Sequence, residues 1–130
     1  MAIKPKWDHI HLRSDDPDAA AGFYETHFGA IRVSRVENGD QLRVTVDLVG
    51  LPIFIDRAAE GAVTRPEGPV RGMDHLALTV DKLEDALSEL SGSGVEIISG
   101  PTTVRPGLLI AFVRAPDGVR IELLERGEVR

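Results

Sequence analysis

The segment GMDHLALTV at residues 72–80 sets the architecture, because it repeats the pattern of WDHIHLRS at residues 7–14. In both segments an Asp-His pair is followed by apolar residues that alternate with other side chains, and this period of two predicts a β-strand. The histidines of the two pairs, His9 and His75, fall at the same place in the pattern. The chain is therefore predicted to contain two copies of one supersecondary module.

Outward from these strands, both halves continue in the same order. In the first half a helix is expected through DAAAGFYETHF, between an acidic cap at Asp15 or Asp16 and the terminating Gly29. Three strands are predicted to follow, at residues 31–36, 41–48 and 51–56. In the second half the expected elements are a helix at residues 82–94 capped by Asp81, and strands at residues 95–98, 108–113 and 119–124. Each half is thus predicted to be a βαβββ module, which gives an α+β fold.

The boundaries of the modules follow from composition. Residues 1–130 are predicted to form a single domain with module one at 7–58, a linker at 59–71 and module two at 72–126. The linker is polar and rich in Gly and Pro. A single supersecondary unit buries its sheet face against a copy of itself. We therefore expect the modules to pair, either within one chain or across a dimer.

Bulk composition excludes several classes of protein. The 130 residues are 42% hydrophobic and 28% charged, as in a soluble globular domain, and the net charge of −6 argues against a nucleic-acid partner. The absence of cysteine excludes disulfides, thiolate ligands and a cysteine nucleophile. No apolar run approaches the roughly 20 residues of a membrane span, and no signal-peptide pattern is present. A cytoplasmic protein without membrane contact is expected.

Three residues form the candidate metal site. His9 and His75 take equivalent positions on the first strands of the modules, and Glu122 lies between apolar neighbours on the last strand of module two. A carboxylate among apolar residues either faces solvent or has a partner. Two neutral imidazoles and one carboxylate suit a divalent Fe, Mn, Ni, Co or Zn ion. One such ion is therefore the expected cofactor.

The same segments resemble the vicinal oxygen chelate superfamily, which includes glyoxalase I, methylmalonyl-CoA epimerase, extradiol dioxygenases, fosfomycin-resistance transferases and bleomycin-binding proteins. The resemblance covers nearly the whole chain. It lies in four segments: WDHIHL, DPDAAAGFYETHFGA, GMDHLALTV and APDGVRIELLE. It implies a curved mixed sheet around a metal-containing cavity, with His9, His75 and Glu122 as ligands. A small-molecule substrate and a homodimer are the implied partners.

Phe54 stands where glyoxalase I and the epimerases of this superfamily generally carry a fourth ligand, a Glu or Gln. Asp56 is two residues along the strand, about 6.6 Å away, and does not replace it. The resemblance therefore implies two histidines and one carboxylate, the set used by non-haem iron oxygenases. Glu122 would serve as ligand and transient base without its counterpart.

Other side chains are candidates around the metal. His11 shares a strand face with His9 and is expected either to act as an acid or base or to hydrogen-bond a neighbouring strand. Arg13 and Arg43 are predicted to hold a substrate oxygen, although a solvated face explains Arg43 equally well. Thr45, Phe54 and Phe112 are further candidates for substrate contact, although an ordinary core position is the better explanation for each phenylalanine taken alone.

Three functions fit these residues. The first is an enzyme acting on a small oxygenated molecule, either a glyoxalase-like lyase or isomerase or an extradiol-type ring-cleaving dioxygenase. The second is a non-catalytic module that binds a small molecule or an antibiotic, as bleomycin resistance proteins do. Thiol transfer to an antibiotic, as in fosfomycin resistance, is the third, and it lacks a clear cluster of cationic residues near Glu122.

Overall fold

A computed structural model describes residues 2–127 of the chain. The chain divides into two compact units, unit one at residues 1–63 and unit two at residues 64–130. Each unit contains one α-helix and one four-stranded mixed sheet, in the order strand, helix, strand, strand, strand. The predicted α+β fold of two βαβββ modules is confirmed. No helix within residues 2–127 has the length and apolar character needed to cross a membrane.

Unit one consists of β1 (Ile10–Ser14), α1 (Pro17–Phe28), β2 (Ile31–Asn38), β3 (Gln41–Leu48) and β4 (Leu51–Arg57). The strand order in its sheet is β1-β4-β3-β2, with β1 parallel to β4 and the remaining pairs antiparallel. Asp16 caps α1 by accepting a hydrogen bond from the Ala19 N–H, and Gly29 ends the helix in the left-handed conformation with φ of 69°. Both ends of α1 are thus set by the residues that the sequence indicated.

Unit two consists of β5 (Leu76–Thr79), α2 (Leu83–Gly92), β6 (Ile97–Arg105), β7 (Leu108–Arg114) and β8 (Arg120–Arg126), with a 3-10 turn at Pro116–Gly118. Its sheet repeats the topology of unit one, with the order β5-β8-β7-β6 and β5 parallel to β8. The first strand and the third strand are each one residue shorter than in unit one, and the helix is two residues shorter. The internal repeat that the sequence predicts is therefore present at the level of strand order and direction.

The alternation of side chains along the strands separates a packed face from a polar one. On β3 the buried apolar residues are Leu42, Val44, Val46 and Leu48, and α1 packs on this strand with Ala20, Ala21 and Tyr24 also buried. Arg43 and Asp47 alternate with the buried residues and lie on the other face of the strand. Such a sheet buries one face and leaves the other available for polar side chains.

The first strand of each unit begins later than predicted. β1 starts at Ile10 instead of residue 7, and β5 starts at Leu76 instead of residue 72. For β1 the physical reason is the neighbouring strand: Ile10 pairs with Ile53, and the residue before it on β4 is Pro52, which has no N–H to donate. His9 and His75 consequently lie just before their strands.

Two further predictions in unit two are wrong in detail. β6 spans Ile97–Arg105 instead of the predicted residues 95–98, and it accommodates Gly and Pro residues through register shifts. Asp81 does not cap α2. Lys82 occupies the cap position without a side-chain hydrogen bond, and the carboxylate of Glu125 accepts from the Leu83 N–H at 2.7 Å. The hydrogen-bond acceptor for the first turn of α2 thus lies on β8, 42 residues away in sequence.

Candidate functional site

Unit two brings His75 and Glu122 together. β5 and β8 are parallel neighbours whose register pairs Ala77 with Glu122, so a side chain at the start of β5 reaches the middle of β8. The His75 Nε2 atom lies 3.1 Å from the Oε1 atom of Glu122. The Glu122 side chain is only 15% exposed, which places its carboxylate in a partly desolvated position.

The other ring nitrogen of His75 is bonded to Asp74. Its Nδ1 atom lies 2.7 Å from Asp74 Oδ2, and the same carboxylate accepts hydrogen bonds from Arg120 and Arg65. Arg65 also donates to the backbone carbonyl of Asp74. The hydrogen bond from His75, together with the charges of Arg120 and Arg65, holds the pKa of Asp74 below its usual value. Asp74, His75, Arg65 and Arg120 are called the Asp74 cluster below.

An aromatic ring borders this cluster. Phe112 on β7 pairs in register with Glu122. The guanidinium carbon of Arg120 lies 4.6 Å from the centre of the Phe112 ring, and the His75 imidazole meets the ring edge-on with the centroids 5.0 Å apart. Phe112 is half-buried, so one part of it packs on the charged groups and another part remains accessible.

Unit one carries a different arrangement at the equivalent place. His9 Nδ1 lies 2.5 Å from the carboxylate of the preceding Asp8, and His75 Nδ1 contacts the preceding Asp74 in the same way. Phe54 holds the position of Glu122, because it pairs with His11 on β1 as Glu122 pairs with Ala77 on β5. The imidazole of His9 is stacked on the Phe54 ring instead of facing a carboxylate. Phe54 and Glu122 thus hold equivalent positions in the two units, with an aromatic ring in unit one and a carboxylate in unit two.

Asp56 connects the other polar candidates of unit one. His11 Nε2 lies 2.9 Å from Asp56 Oδ2, and Arg43 binds both carboxylate oxygens of Asp56 at 2.7 and 2.9 Å. The hydrogen bond from Arg43 holds the pKa of Asp56 below its usual value. His11 therefore hydrogen-bonds the neighbouring strand β4, which was one of its two expected environments. Arg43 is paired within its own unit.

The remaining candidates differ in exposure. Arg13 is exposed near the end of β1, whereas Thr45 is buried on β3 where it pairs with Phe54. Phe54 itself lies between its neighbouring strands, with the Arg43 guanidinium 4.7 Å from its ring centre. Substrate contact by any of these residues remains a prediction, and Arg13 is the one whose side chain is most accessible.

The geometry of the His75–Glu122 pair is suited to a metal ion. Metal bonds to histidine nitrogen and carboxylate oxygen are about 2.1 Å long, so two such ligands at right angles lie roughly 3.0 Å apart. The observed separation of 3.1 Å matches this spacing. Within either unit, the residues that the structure describes do not gather three His, Asp or Glu side chains as a complete metal site. Unit two by itself supplies two of the three predicted ligands.

Asp74 and Arg65 were not predicted from the sequence as site residues. A signal for Asp74 was present, since an Asp precedes the candidate histidine in both halves of the repeat. Arg65 lies in the segment assigned as a linker, and nothing in its sequence context indicated a contact with residue 74.

Comparison with known proteins gives a family match over most of the chain. The family model described as Glyoxalase/Bleomycin resistance protein/Dioxygenase superfamily matches residues 6–123. A protein named lactoylglutathione lyase from Salmonella typhimurium is 27% identical over 124 residues, which are 90% of each chain. The protein of the same name from Haemophilus influenzae is 28% identical over 123 residues, with the same coverage.

Solved structures show the same fold. A glyoxalase family protein from Enterococcus faecalis superimposes with a TM-score of 0.77 at 22% identity, covering 92% of this chain and 97% of that one. The fosfomycin resistance protein FosX of Listeria monocytogenes, in complex with Mn(II) and sulfate, superimposes with a TM-score of 0.72 at 16% identity, covering 95% and 93% of the two chains. At these identities the likeness concerns the fold alone.

Proposed function

This chain belongs to the Glyoxalase/Bleomycin resistance protein/Dioxygenase superfamily, and from that membership we propose that it is a divalent-metal-dependent enzyme acting on a small oxygenated molecule. The observation that supports this most is the approach of His75 Nε2 to Glu122 Oε1 at 3.1 Å. In the forms that bind a metal, both atoms are unprotonated and donate an electron pair to the ion. The distance between them is that expected between two ligands of one ion.

His9, His75 and Glu122 are the proposed ligands. His9 has its Nδ1 atom bonded to Asp8, which leaves Nε2 as the ligating nitrogen. His9 would bind the same ion as His75 and Glu122, either within one chain or as the ligand supplied by the second chain of a homodimer. The donor set of two imidazoles and one carboxylate suits Fe, Mn, Ni, Co or Zn, and it leaves positions on the ion for substrate or water.

The chemistry would be divided between the ion and the protein. A bound divalent ion would act as a Lewis acid on neighbouring oxygen atoms of the substrate, an effect of several kcal/mol. Glu122 would be both ligand and transient base. His11, which Asp56 orients by a hydrogen bond, would hold or deliver a proton, and Arg13 would bind an anionic oxygen of the substrate. The accessible part of Phe112 would contact apolar carbon of the substrate.

Two reaction classes fit this proposed site. A glyoxalase-like lyase or isomerase step is supported by the relatives named lactoylglutathione lyase. Extradiol-type ring cleavage is supported by Phe54. Because phenylalanine cannot bind a metal, the proposed ligand set consists of two histidines and one carboxylate, which is the set of non-haem iron oxygenases. Identification of the bound ion separates these classes, because ring cleavage with oxygen requires a redox-active metal.

The test is metal content by elemental analysis of anaerobically purified wild type, His75→Ala and His27→Ala. His27 lies on α1 beside Phe23 and serves as the matched histidine control. We expect close to one divalent ion per site in wild type and His27→Ala, and loss of the ion in His75→Ala. Redox-active iron or manganese would direct substrate tests first to catechols with oxygen. Zinc, which has no redox chemistry, would direct them to lyase and isomerase reactions only. Equal metal content in all three proteins would refute the proposal.

One observation favours a second function. The stacking of His9 on Phe54 ties one proposed ligand to an aromatic ring, an arrangement that also suits a binding module without a metal. In that case purified protein contains no stoichiometric metal, and His9→Ala changes neither the metal content nor the thermal midpoint in the presence of added metal. The same elemental analysis therefore distinguishes the two functions.

A further inference from the structure

We infer that Asp74 is a positioning residue of the proposed metal site, which orients His75 so that its Nε2 atom faces Glu122. This inference rests on the proposed metal-binding function. Asp74 is not itself a ligand, but its hydrogen bond determines which ring nitrogen of His75 is free to bind the metal. Three features support the inference: the contacts of both ring nitrogens of His75 with carboxylates, the two arginines beside Asp74 and the contrast with Asp8 in unit one.

The first feature is the division of the two ring nitrogens between different partners. A neutral imidazole carries one N–H, and the nitrogen without hydrogen is the one that can bind a metal. Because the Asp74 carboxylate lies 2.7 Å from Nδ1, it favours the tautomer protonated there. In the proposed metal-bound form, Nε2 would then present its lone pair to the ion beside the carboxylate of Glu122. A histidine ligand whose other nitrogen donates to a carboxylate is held in orientation and is a more basic donor.

The second feature is the support of Asp74 by two guanidinium groups. Arg120 donates to Asp74 Oδ2 at 2.5 Å, and Arg65 approaches Oδ1 at 3.4 Å while also binding the Asp74 carbonyl. Arg120 is two residues from Glu122 on β8, so one strand carries both a ligand and a support of the other ligand. The Asp74 carboxylate therefore has few orientations available, and the imidazole bonded to it is restricted in the same way.

The third feature is the contrast with the equivalent residue of unit one. Asp8 also bonds the Nδ1 atom of its histidine, but its side chain is 88% exposed, compared with 41% for Asp74. Among residues 2–127, the only hydrogen-bond or ion-pair partner of the Asp8 side chain is His9. An exposed and singly bonded carboxylate restricts its partner less. The internal repeat thus provides a chemically identical control for Asp74.

The experiment measures Co²⁺ affinity of metal-free protein by titration, with the visible absorption of bound Co²⁺ as a second readout. We expect Asp74→Asn to weaken Co²⁺ binding by roughly 10–100-fold, the usual effect of losing such a partner. We also expect an altered Co²⁺ spectrum, because the orientation of one ligand changes. Asp8→Asn is expected to weaken binding less. Circular dichroism of the metal-free variants establishes that both are folded.

Arg65→Met provides a second route if Asp74→Asn does not fold. This variant keeps Asp74 and His75 but removes one support, and a weakening of Co²⁺ binding smaller than that of His75→Ala is expected. Wild-type affinity in a folded Asp74→Asn, or an effect no larger than that of Asp8→Asn, would overturn the inference. If Asp74→Asn does not fold, wild-type affinity in Arg65→Met would overturn it. Unchanged Co²⁺ binding by His75→Ala would instead refute the metal site itself, so the two failures are distinguishable.

Discussion

The imidazole of His9 lies flat on the ring of Phe54, with the ring centroids 3.9 Å apart and the planes inclined by 16°. At the equivalent place in unit two, His75 faces the carboxylate of Glu122. One repeated backbone position thus carries an apolar ring in the first unit and a metal-binding group in the second. The difference concerns a single side chain on β4, and it bears directly on how many ligands the proposed site has.

Phe54→Glu is expected to add a fourth ligand. The register of β4 matches that of β8, so a carboxylate at residue 54 stands beside His9 as Glu122 stands beside His75. Because affinity rises with the number of charged ligands, Co²⁺ should bind more tightly by about tenfold or more. Titration of Phe54→Leu is the control, since leucine removes the ring without adding a ligand. Equal affinities of the two variants would contradict the prediction.

Glu125 is expected to stabilise α2 from outside the helix. Its carboxylate accepts a hydrogen bond from the first-turn N–H of Leu83, so Glu125→Ala should lower the free energy of unfolding by about 0.5–2 kcal/mol. Asp81→Ala removes the residue that the sequence favoured as a cap and should cost less than about 0.5 kcal/mol, as most surface substitutions do. Urea unfolding of both variants gives the comparison. A larger loss for Asp81→Ala would show that the cap lies where the sequence placed it.

The centre of β4 is expected to be sensitive to lost volume. Ile53 is fully buried, so Ile53→Ala should destabilise the protein by about 2–5 kcal/mol and Ile53→Val by about 0.5–1.5 kcal/mol. Val36 is 61% exposed on β2, and Val36→Ala should change stability by only about 0.5 kcal/mol. Denaturant midpoints test this order of effects. A similar cost at both positions would mean that residue 53 is less enclosed than the structure shows.

The pair of Asp56 and Arg43 should contribute to stability in a pH-dependent way. The hydrogen bond from Arg43 lowers the pKa of Asp56 in the folded chain, so the folded state favours the ionised carboxylate. The stabilisation is therefore complete above the unfolded pKa, near pH 4, and is lost as the pH falls through the lower folded pKa.

Asp56→Asn tests this relation. At pH 7 the variant should be less stable than the wild type, and the difference should disappear in acid below the folded pKa of Asp56. Unfolding midpoints at several pH values give the comparison, with Asp40→Asn in the β2–β3 turn as a control for a general loss of negative charge. A difference in midpoint that is constant from pH 7 to pH 2 would contradict the assignment.

Local physical chemistry was sufficient for much of the fold. The period of two in the strands, the acidic cap before α1 and the terminating Gly29 all depend on residues close in sequence, and the structure has each of them. The repeat added the expectation that both halves form the same βαβββ module, because similar segments fold alike. The α+β class could therefore be anticipated from the residues, whereas the placement of His75 and Glu122 as ligands of one ion stays a prediction.

The partners of the charged side chains required the folded chain. Asp74 meets Arg120 across 46 residues, and Glu125 reaches Leu83 across 42. Sequence spacing carries no information on such contacts, because they depend on which strands become neighbours and on their exact register. The order β5-β8-β7 places Arg120 beside both Asp74 and Phe112. Residue types and periodicity thus specify the modules, whereas the environment of each site residue arises from strand pairing between distant segments.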